Sequence, residues 1–375
     1  MASSNGSVVV SGAGIWGCTL ARVFAEAGMR VVVLESRAAI GGNCRCAMDP
    51  ATGIEVHLYG SHIFHTANRE VWDFANRFTE FNGYRHKVLA RHAGRTYFLP
   101  LGLALVNSFF GVELTPSELP AFMAQAGRRD AIFDAFFRNY TSKQWGRAPE
   151  DIDPSIINRV PVRVSYDVNY FNDTLQGIPR DGYNAFFERL VDHPLIEVRC
   201  GSAFSLDSVD ALRREFPDAT AFFHSGAIDA LFGYRFGALP WRTLRFETET
   251  QDVVDAQGTC VVNYVDADVP FTRIHEYKHY HPENAAVMSA PRTIVCREYP
   301  KTWEGGDEPY YPVVDDDSRA LLAKYRSAVE DFNARISPVR LVVGGRLGGF
   351  AYFDMDKAMA DAISTAKAHL ASRRP

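Results

Sequence analysis

The sequence predicts an α/β fold: a Rossmann-like dinucleotide-binding domain with an inserted helical domain and an antiparallel β-sheet domain. Three observations carry this. The chain opens on strand, glycine turn, helix and strand; residues 103–147 are helix-rich; and residues 232–300 alternate polar and apolar side chains with many Arg, Tyr and Thr. No repeat or low-complexity linker separates these regions, so the domains are expected to interleave along the chain.

The opening stretch sets the first domain. Val8, Val9 and Val10 form an apolar β-branched run, and Gly12, Gly14 and Gly17 follow. Trp16, Leu20, Val23, Phe24 and Ala27 then recur at helical spacing, and a second apolar run at 31–34 ends in Glu35. Glycines so placed provide a tight turn, close approach of backbone N–H groups to a pyrophosphate, and close helix-to-sheet packing. Glu35, 23 residues after Gly12, is placed to accept from a ribose hydroxyl. Taken alone the glycines fit an ordinary tight turn as well; the strand-to-acid context favours a dinucleotide. Ile40, Gly41, Gly42 and Asn43 form a second glycine turn directly behind the acid, which favours FAD over NAD, with a plain loop as the alternative.

At 375 residues the chain has material for two or three domains with real cores. A net charge of −5 offers no basic face for nucleic acid. The first six residues lack the basic and apolar regions of a signal peptide, and the longest apolar stretch, 97–106, is broken by Pro100 and too short for a bilayer, so a cytoplasmic protein without a membrane span is expected. The six cysteines (Cys18, Cys44, Cys46, Cys200, Cys260, Cys296) are scattered as free thiols would be. No metal is expected, because Cys44 and Cys46 form only a CxC, and His57, His62 and His65 show no thiolate or carboxylate companion. Gly60 and Ser61 before His62 suggest backbone passing close to a planar ligand, with an imidazole beside it.

Further along, residues 69–80 carry an amphipathic pattern (Val71, Trp72, Phe74, Ala75, Phe78), and 81–100 turns to strand-like alternation. Thr115, Pro116 and Glu118 make a helix start with Thr115 as N-cap. Within 133–146, Phe133 and Phe136 fit a plain core, whereas Tyr140, Thr141, Lys143 and Trp145 mix polar and aromatic functions as a nucleobase pocket would. Residues 156–182 carry Arg159, Arg163, Tyr166, Tyr170, Asn172 and Asp173 ahead of a Gly/Pro segment, which suits either a loop closing over a phosphate or a solvated loop. Residues 183–224 return to the first domain through a helix and a short strand at 221–223. The sheet region at 232–300 has a polar, cationic face with Asn263, Arg273, His275, Glu276, Lys278 and His279 on or beside it. A helix at 318–332, a second strand-to-glycine run at 341–347 and a helix at 354–370 close the chain.

These pieces, in collinear order over nearly the whole chain, resemble the bacterial-type UDP-galactopyranose mutases: GxGxxG with Glu35, IGGN, YGSHIFHT, YTSKQWG, NRVPVR, NYFND, QGIP, VPFTRIHEYKH, EYP, DEPYYP, and GGRL with YFDM. The resemblance implies an FAD-binding domain from residues 1–80, 182–230 and 312–375, a helical domain from 103–147, and an antiparallel sheet substrate domain from 81–102, 148–181 and 231–311. It implies a homodimer that interconverts the pyranose and furanose forms of a nucleotide sugar, foremost UDP-galactose. In that chemistry N5 of reduced FAD attacks the anomeric carbon without net redox change, and an external reductant such as NAD(P)H keeps the flavin reduced.

By the same resemblance Arg159 and Arg273 hold the leaving diphosphate, with hydrogen bonds from Tyr311 and Tyr352, and His62 and His65 complete the catalytic set. Tyr140 stacks on the base among Phe136, Thr141, Trp145 and Asn263, while His86, Tyr170, Asp173, Glu298 and Asp354 complete the substrate contacts. FAD is implied to meet Gly12, Gly14, Trp16, Gly17, Glu35, Ser36, Gly42, Asn43, Ser61, His62, Ile63, Arg346, Phe353, Asp354 and Met355. The chain departs from the family pattern in a shorter helical segment between Gly111 and Tyr140, in Ser61 where Ala is usual, in Ser225-Gly226-Ala227 for Thr-Gly-Pro, and in Val168 before NYF. These departures keep open a mutase for an arabinose, fucose or N-acetylgalactosamine nucleotide. A net-redox FAD oxidoreductase is the alternative from another class.

Overall fold

The structure, a computed structural model, describes residues 6–152 and 160–373. Strand β1 (Ser7–Ser11), helix α1 (Ile15–Glu26) and strand β2 (Arg30–Glu35) form the opening unit. They belong to a five-stranded parallel sheet in the order Arg340–Val343, Ala219–His224, β1, β2, Ile196–Cys200. Three separated stretches thus converge on one sheet. The unbroken valine runs follow from this position, because a central parallel strand is covered on both faces. Val8, Val10, Val31 and Val33 pack with Phe24 of α1 and with Met359 and Ile363 of the helix Met355–Ala371. Val9, Val32 and Leu34 face the other way, against Val209, Leu212, Phe332 and Ile336.

The second sheet has seven strands in the order Tyr311–Pro312, Trp241–Gln251, Thr293–Thr302, Arg273–Glu276, Val261–Tyr264, Val88–His92, Arg95–Leu99. It is antiparallel except where Val261–Tyr264 runs parallel to Val88–His92, the seam joining the segment at 81–102 to the later one. Three sequence expectations change here. Residues 232–240 are not strand: a short helix, Ile228–Leu231, leads into a turn in which Gly233, Tyr234 and Gly237 have φ of 60°, 56° and 109°, incompatible with extended pairing. Among its described residues the segment 148–181 contributes no strand to this sheet; its strand Leu175–Gly177 pairs with Phe64–Thr66 instead. The helix expected at 69–80 is regular over Arg69–Ala75, and the Asn76 side-chain amide then donates to Trp72 O at 2.8 Å.

The helical domain packs Leu103, Val106, Phe122, Ile132 and Phe133 into its own core. At its expected start, the Thr115 N–H and hydroxyl both donate to Glu118 Oε2, at 2.8 and 2.7 Å, closing a turn, and regular helix begins only at Leu119. Helix Asn139–Trp145 then projects from this core toward the second sheet. Among the described residues no helix is long and apolar enough to cross a membrane.

Candidate active site

A cleft opens at the carboxyl ends of β1 and β2, lined by Gly12, Gly14, Trp16, Glu35, Ser36, Gly42, Asn43, Arg346, Phe353, Asp354 and Met355. Gly12 has φ +97°, and a Cβ there would fall 2.1 Å from Ser225 Oγ. A Cβ on Gly17 would fall 1.9 Å from the Gly12 carbonyl, so Gly17 does not line the cleft; it lets α1 close onto β1. No side chain caps α1, which leaves its first N–H groups to the cleft, the arrangement that receives a pyrophosphate. The buried Glu35 carboxylate accepts from the Ala13 and Arg37 N–H groups at 2.7 and 2.9 Å and keeps lone pairs for a ribose hydroxyl. Trp16 lies under Gly344 and Gly345 and donates to Asp361 Oδ2 at 2.6 Å, so its indole forms a fixed wall. These residues fit an extended dinucleotide.

A second cleft lies between the two sheets. It is lined by Ser61, Ile63, His65, His86, Tyr140, Trp145, Tyr170, Asn263, Arg273, Glu298, Tyr311 and Tyr352, and shares Asn43, His62, Arg346, Asp354 and Met355 with the first, so the two meet there. Arg273 donates to the Tyr140 hydroxyl, and its Nε lies 3.3 Å from Glu298 Oε1. Burial opposes ionisation of Glu298, but the charge of Arg273 and the hydrogen bond from His275 hold its carboxyl below the usual range. The rings of Tyr311 and Tyr352 stack 5.8 Å apart at 22°, with the Arg346 guanidinium 5.8 and 5.4 Å from their centroids. Arg346 is fixed by donation to Phe353 O at 2.9 Å and Tyr310 O at 3.3 Å. Two guanidinium groups and two phenols thus face one space, a donor set suited to phosphate oxygens.

The histidines divide by role. Burial pushes His62 down to about 3, with His57 and Arg346 adding to it, so the ring at the junction is neutral at pH 7; its Nδ1 has no hydrogen-bond partner among the described residues. Burial likewise pushes His57 to about 4 and His86 to about 3. His65 stacks on Phe171 at 3.6 Å, and its Nδ1 lies 2.6 Å from Asp173 Oδ2. Asp173 therefore stands behind His65, outside the cleft lining, and positions that ring. Phe136 is also absent from the lining: it packs edge-on to Tyr97 and Phe109 in the helical core, at 5.1 and 5.2 Å. Thr141 lines an adjoining pocket with Trp145, Ile152, Pro312 and Tyr352. Arg159 lies outside the described residues, and Arg163 is taken up by its own loop, donating to Tyr170 O at 3.1 Å and Asn172 Oδ1 at 2.5 Å.

His57 does have a cysteine and a carboxylate beside it, contrary to expectation, because the hairpin of Cys46–Met48 and Glu55–His57 pairs Cys46 with His57; burial and Glu55 push the Cys46 thiol up, so it stays protonated. Glu55 is engaged there by the Tyr183 N–H at 3.0 Å and His281 at 3.2 Å. Sequence reasoning assigned no role to Phe171, Gln144 or Tyr310 and placed His275 only on or beside the cationic face of the sheet; all four line the second cleft. For His275 a signal existed: Arg273 and His275 are two apart on one strand and share a face.

A family model described as UDP-galactopyranose mutase matches residues 135–352, and one described as an NAD(P)-binding Rossmann-like domain matches residues 10–78. The chain is 36% identical to a dTDP-fucopyranose mutase of Escherichia coli over 98% of this chain and 99% of that one. It is 35% identical to a UDP-galactopyranose mutase of Mycoplasma pneumoniae over 96% and 95%. In fold it is similar to the crystal structure of a reduced UDP-galactopyranose mutase, with a TM-score of 0.69 at 14% identity, covering 99% of this chain and 96% of the other. Near-complete collinear coverage and a cleft built for a dinucleotide lead to one assignment: the chain belongs to the UDP-galactopyranose mutase family and is an isomerase of the mutase type.

Proposed function

We propose that this mutase is FAD-dependent and interconverts UDP-galactopyranose and UDP-galactofuranose. One observation carries the reading: the dinucleotide cleft and the Arg/Tyr-lined cleft meet at Asn43, His62, Arg346, Asp354 and Met355, so a cofactor reaching along the first would end against a ligand in the second. Bound and reduced, the flavin supplies the nucleophile for the anomeric carbon. The protein does the rest. Arg273, with Tyr311 and Tyr352, holds the diphosphate through departure and return, where fixed charge matters most. Tyr140, Trp145 and Asn263 hold the base, and neutral His62 offers a donor or acceptor at the junction without placing a charge there.

The likeness to a dTDP-fucopyranose mutase, equal in extent to that with UDP-galactopyranose mutases, supports a second reading with a 6-deoxy sugar on a thymidine nucleotide. Competition between UDP-galactofuranose and dTDP-fucofuranose for the reduced protein, followed by chromatography, decides between them. A higher kcat/KM for the UDP sugar is expected; a preference of tenfold or more, roughly 1.4 kcal/mol, for the dTDP sugar replaces the first reading with the second.

A further inference from the structure

Two groups of side chains outside both clefts bring an imidazole together with cysteine or carboxylate groups: Cys46, Glu55 and His57, and Asp255, Glu276 and His279. The histidine separates them. The His62 N–H donates to His57 Nδ1 at 3.1 Å, so neutral His57 carries its proton on Nε2 and turns no lone pair to its neighbours. His279 is different. Its Nε2 is buried and has no hydrogen-bond partner among the described residues, although Asp255 Oδ2 lies 3.3 Å away and Glu276 Oε2 3.5 Å away.

Those two separations match a metal ion. A tetrahedral ion bound at about 2.0–2.1 Å holds its ligand atoms about 3.3–3.4 Å apart, whereas octahedral coordination at the same bond length brings them to about 2.9 Å. The carboxylates are oriented from behind, as metal ligands are. Asp255 Oδ1 accepts from the Gln257 and Gly258 N–H groups at 3.2 and 2.6 Å, which leaves Oδ2 to the group. The fully buried Glu276 accepts from the Ala256 and Gln257 N–H groups at 3.0 and 2.9 Å and from the Thr293 hydroxyl at 2.7 Å. Two carboxylates this close, one of them wholly buried, call for positive charge between them. The adjacent Lys278 ammonium is engaged by the Val254 and Ala290 carbonyls. An imidazolium at His279 would supply one charge, but its Nε2 meets neither carboxylate in hydrogen-bond geometry.

We propose that Asp255, Glu276 and His279 bind one zinc ion, with water as the fourth ligand. An imidazole with two carboxylates suits a borderline ion; magnesium and calcium favour oxygen ligands and more of them. The site lies behind the second cleft. Side chains alternate along Arg273–Glu276, so Glu276 faces away from Arg273 and His275, which line that cleft. Asp255 belongs to the connection between Trp241–Gln251 and Val261–Tyr264, strands that are not neighbours in the sheet. The ion ties this connection to the strand carrying Arg273 and takes no part in the chemistry of the cleft.

The test uses the flavin-loaded protein, stripped with EDTA, desalted and titrated with zinc chloride in competition with a chromophoric chelator. One zinc per chain is expected, with a dissociation constant of about 10 µM or below and a melting temperature that rises with zinc. Asp255→Asn and His279→Gln should each weaken binding by about tenfold or more and remove the rise in melting temperature. Asp255 is exposed, so its variant tests the site even where His279→Gln folds poorly. Cobalt in place of zinc should give the intense visible bands of a four-coordinate ion. Cys200→Ser removes the exposed thiol and should leave binding unchanged. No zinc bound by wild type at about 100 µM would overturn the proposal and leave the three side chains as an ion-pair cluster. Wild-type affinity in both Asp255→Asn and His279→Gln, the weak bands of six-coordinate cobalt, or loss of binding in Cys200→Ser would overturn it equally. None of these readouts depends on turnover, so they stand apart from the mutase reading.

Discussion

Lys143 lies one helical turn from Tyr140 and makes no contact with either cleft lining as a charge. Its ammonium donates to four carbonyls, Tyr264 O at 2.7 Å, Asp266 O and Val269 O at 3.0 Å, and Phe271 O at 3.1 Å. These belong to the connection between Val261–Tyr264 and Arg273–Glu276, so Lys143 ties the helix carrying Tyr140 and Trp145 to the sheet carrying Asn263 and Arg273. Replacing it with Met keeps the stem's volume and removes every donor. An ammonium has three protons, and charge-assisted hydrogen bonds are worth about 1.5 kcal/mol or more each. The carbonyls are only partly buried, so water recovers part of the loss, leaving a net cost of about 2 to 3 kcal/mol. In a chain of this size that lowers the melting temperature by roughly 4 °C. Because the tie fixes one wall of the cleft and not the reacting atoms, Lys143→Met should raise KM by about tenfold or more while kcat changes little. Thermal melts and initial-rate kinetics on the same preparation check this. A melting temperature within about 1 °C of wild type with an unchanged KM would refute the reasoning.

Other consequences are as direct. Gly17→Ala places a Cβ 1.9 Å from the Gly12 carbonyl, a backbone atom with no rotamer to yield, so α1 must shift and the purified variant should retain little flavin by absorbance; a flavin-to-protein ratio equal to wild type would contradict the cleft assignment. Arg273→Ala should lower kcat by about 10²- to 10³-fold, or 3 to 4 kcal/mol, if the guanidinium acts as charge develops on the departing diphosphate, whereas a rise in KM alone would mean ground-state holding. Burial depresses His57 to about 4 and His62 and His86 to about 3, so the unfolded chain binds more protons below about pH 6.5. The stability they contribute is present above that pH and lost as pH falls toward 4, at up to about 1.4 kcal/mol per unit per histidine. Melting temperatures should therefore drop steeply from pH 7 to 5; a flat profile would show these rings to be solvated.

Local chemistry made much of this legible. The triple valine run and the spacing of Gly12, Gly14 and Gly17 specify a buried parallel strand and a helix that closes onto it; the close approach of that helix follows from contacts within the first 35 residues, while the strand's burial is completed by Ala219–His224 and by Met359 and Ile363 near the end of the chain. What stayed hidden depends on distant segments meeting. Ser61 and His275 are 214 residues apart, and only the joining of the glycine loop to the second sheet brings them to 2.6 Å. Phe136 carries the same aromatic signal whether it faces a base or a core; the partners Tyr97 and Phe109 decide, and they come from the preceding strand and helix. Residues 232–240 alternate like a strand, yet Gly233 and Gly237 allow positive φ, and Tyr234 joins them there. His57 looked alone in sequence because Cys46 reaches it across a hairpin register, not along a helix face.

The measurement that bears most directly on the account is conversion of UDP-galactofuranose by the flavin-loaded protein, reduced with dithionite under anaerobic conditions, with UDP-galactopyranose resolved by chromatography. Many turnovers per flavin are expected with no further reductant consumed, and none from the oxidised protein. Absence of product with flavin bound and reduced, for the dTDP sugar as well, or product formed only in step with reductant consumed, would contradict a redox-neutral flavin mutase.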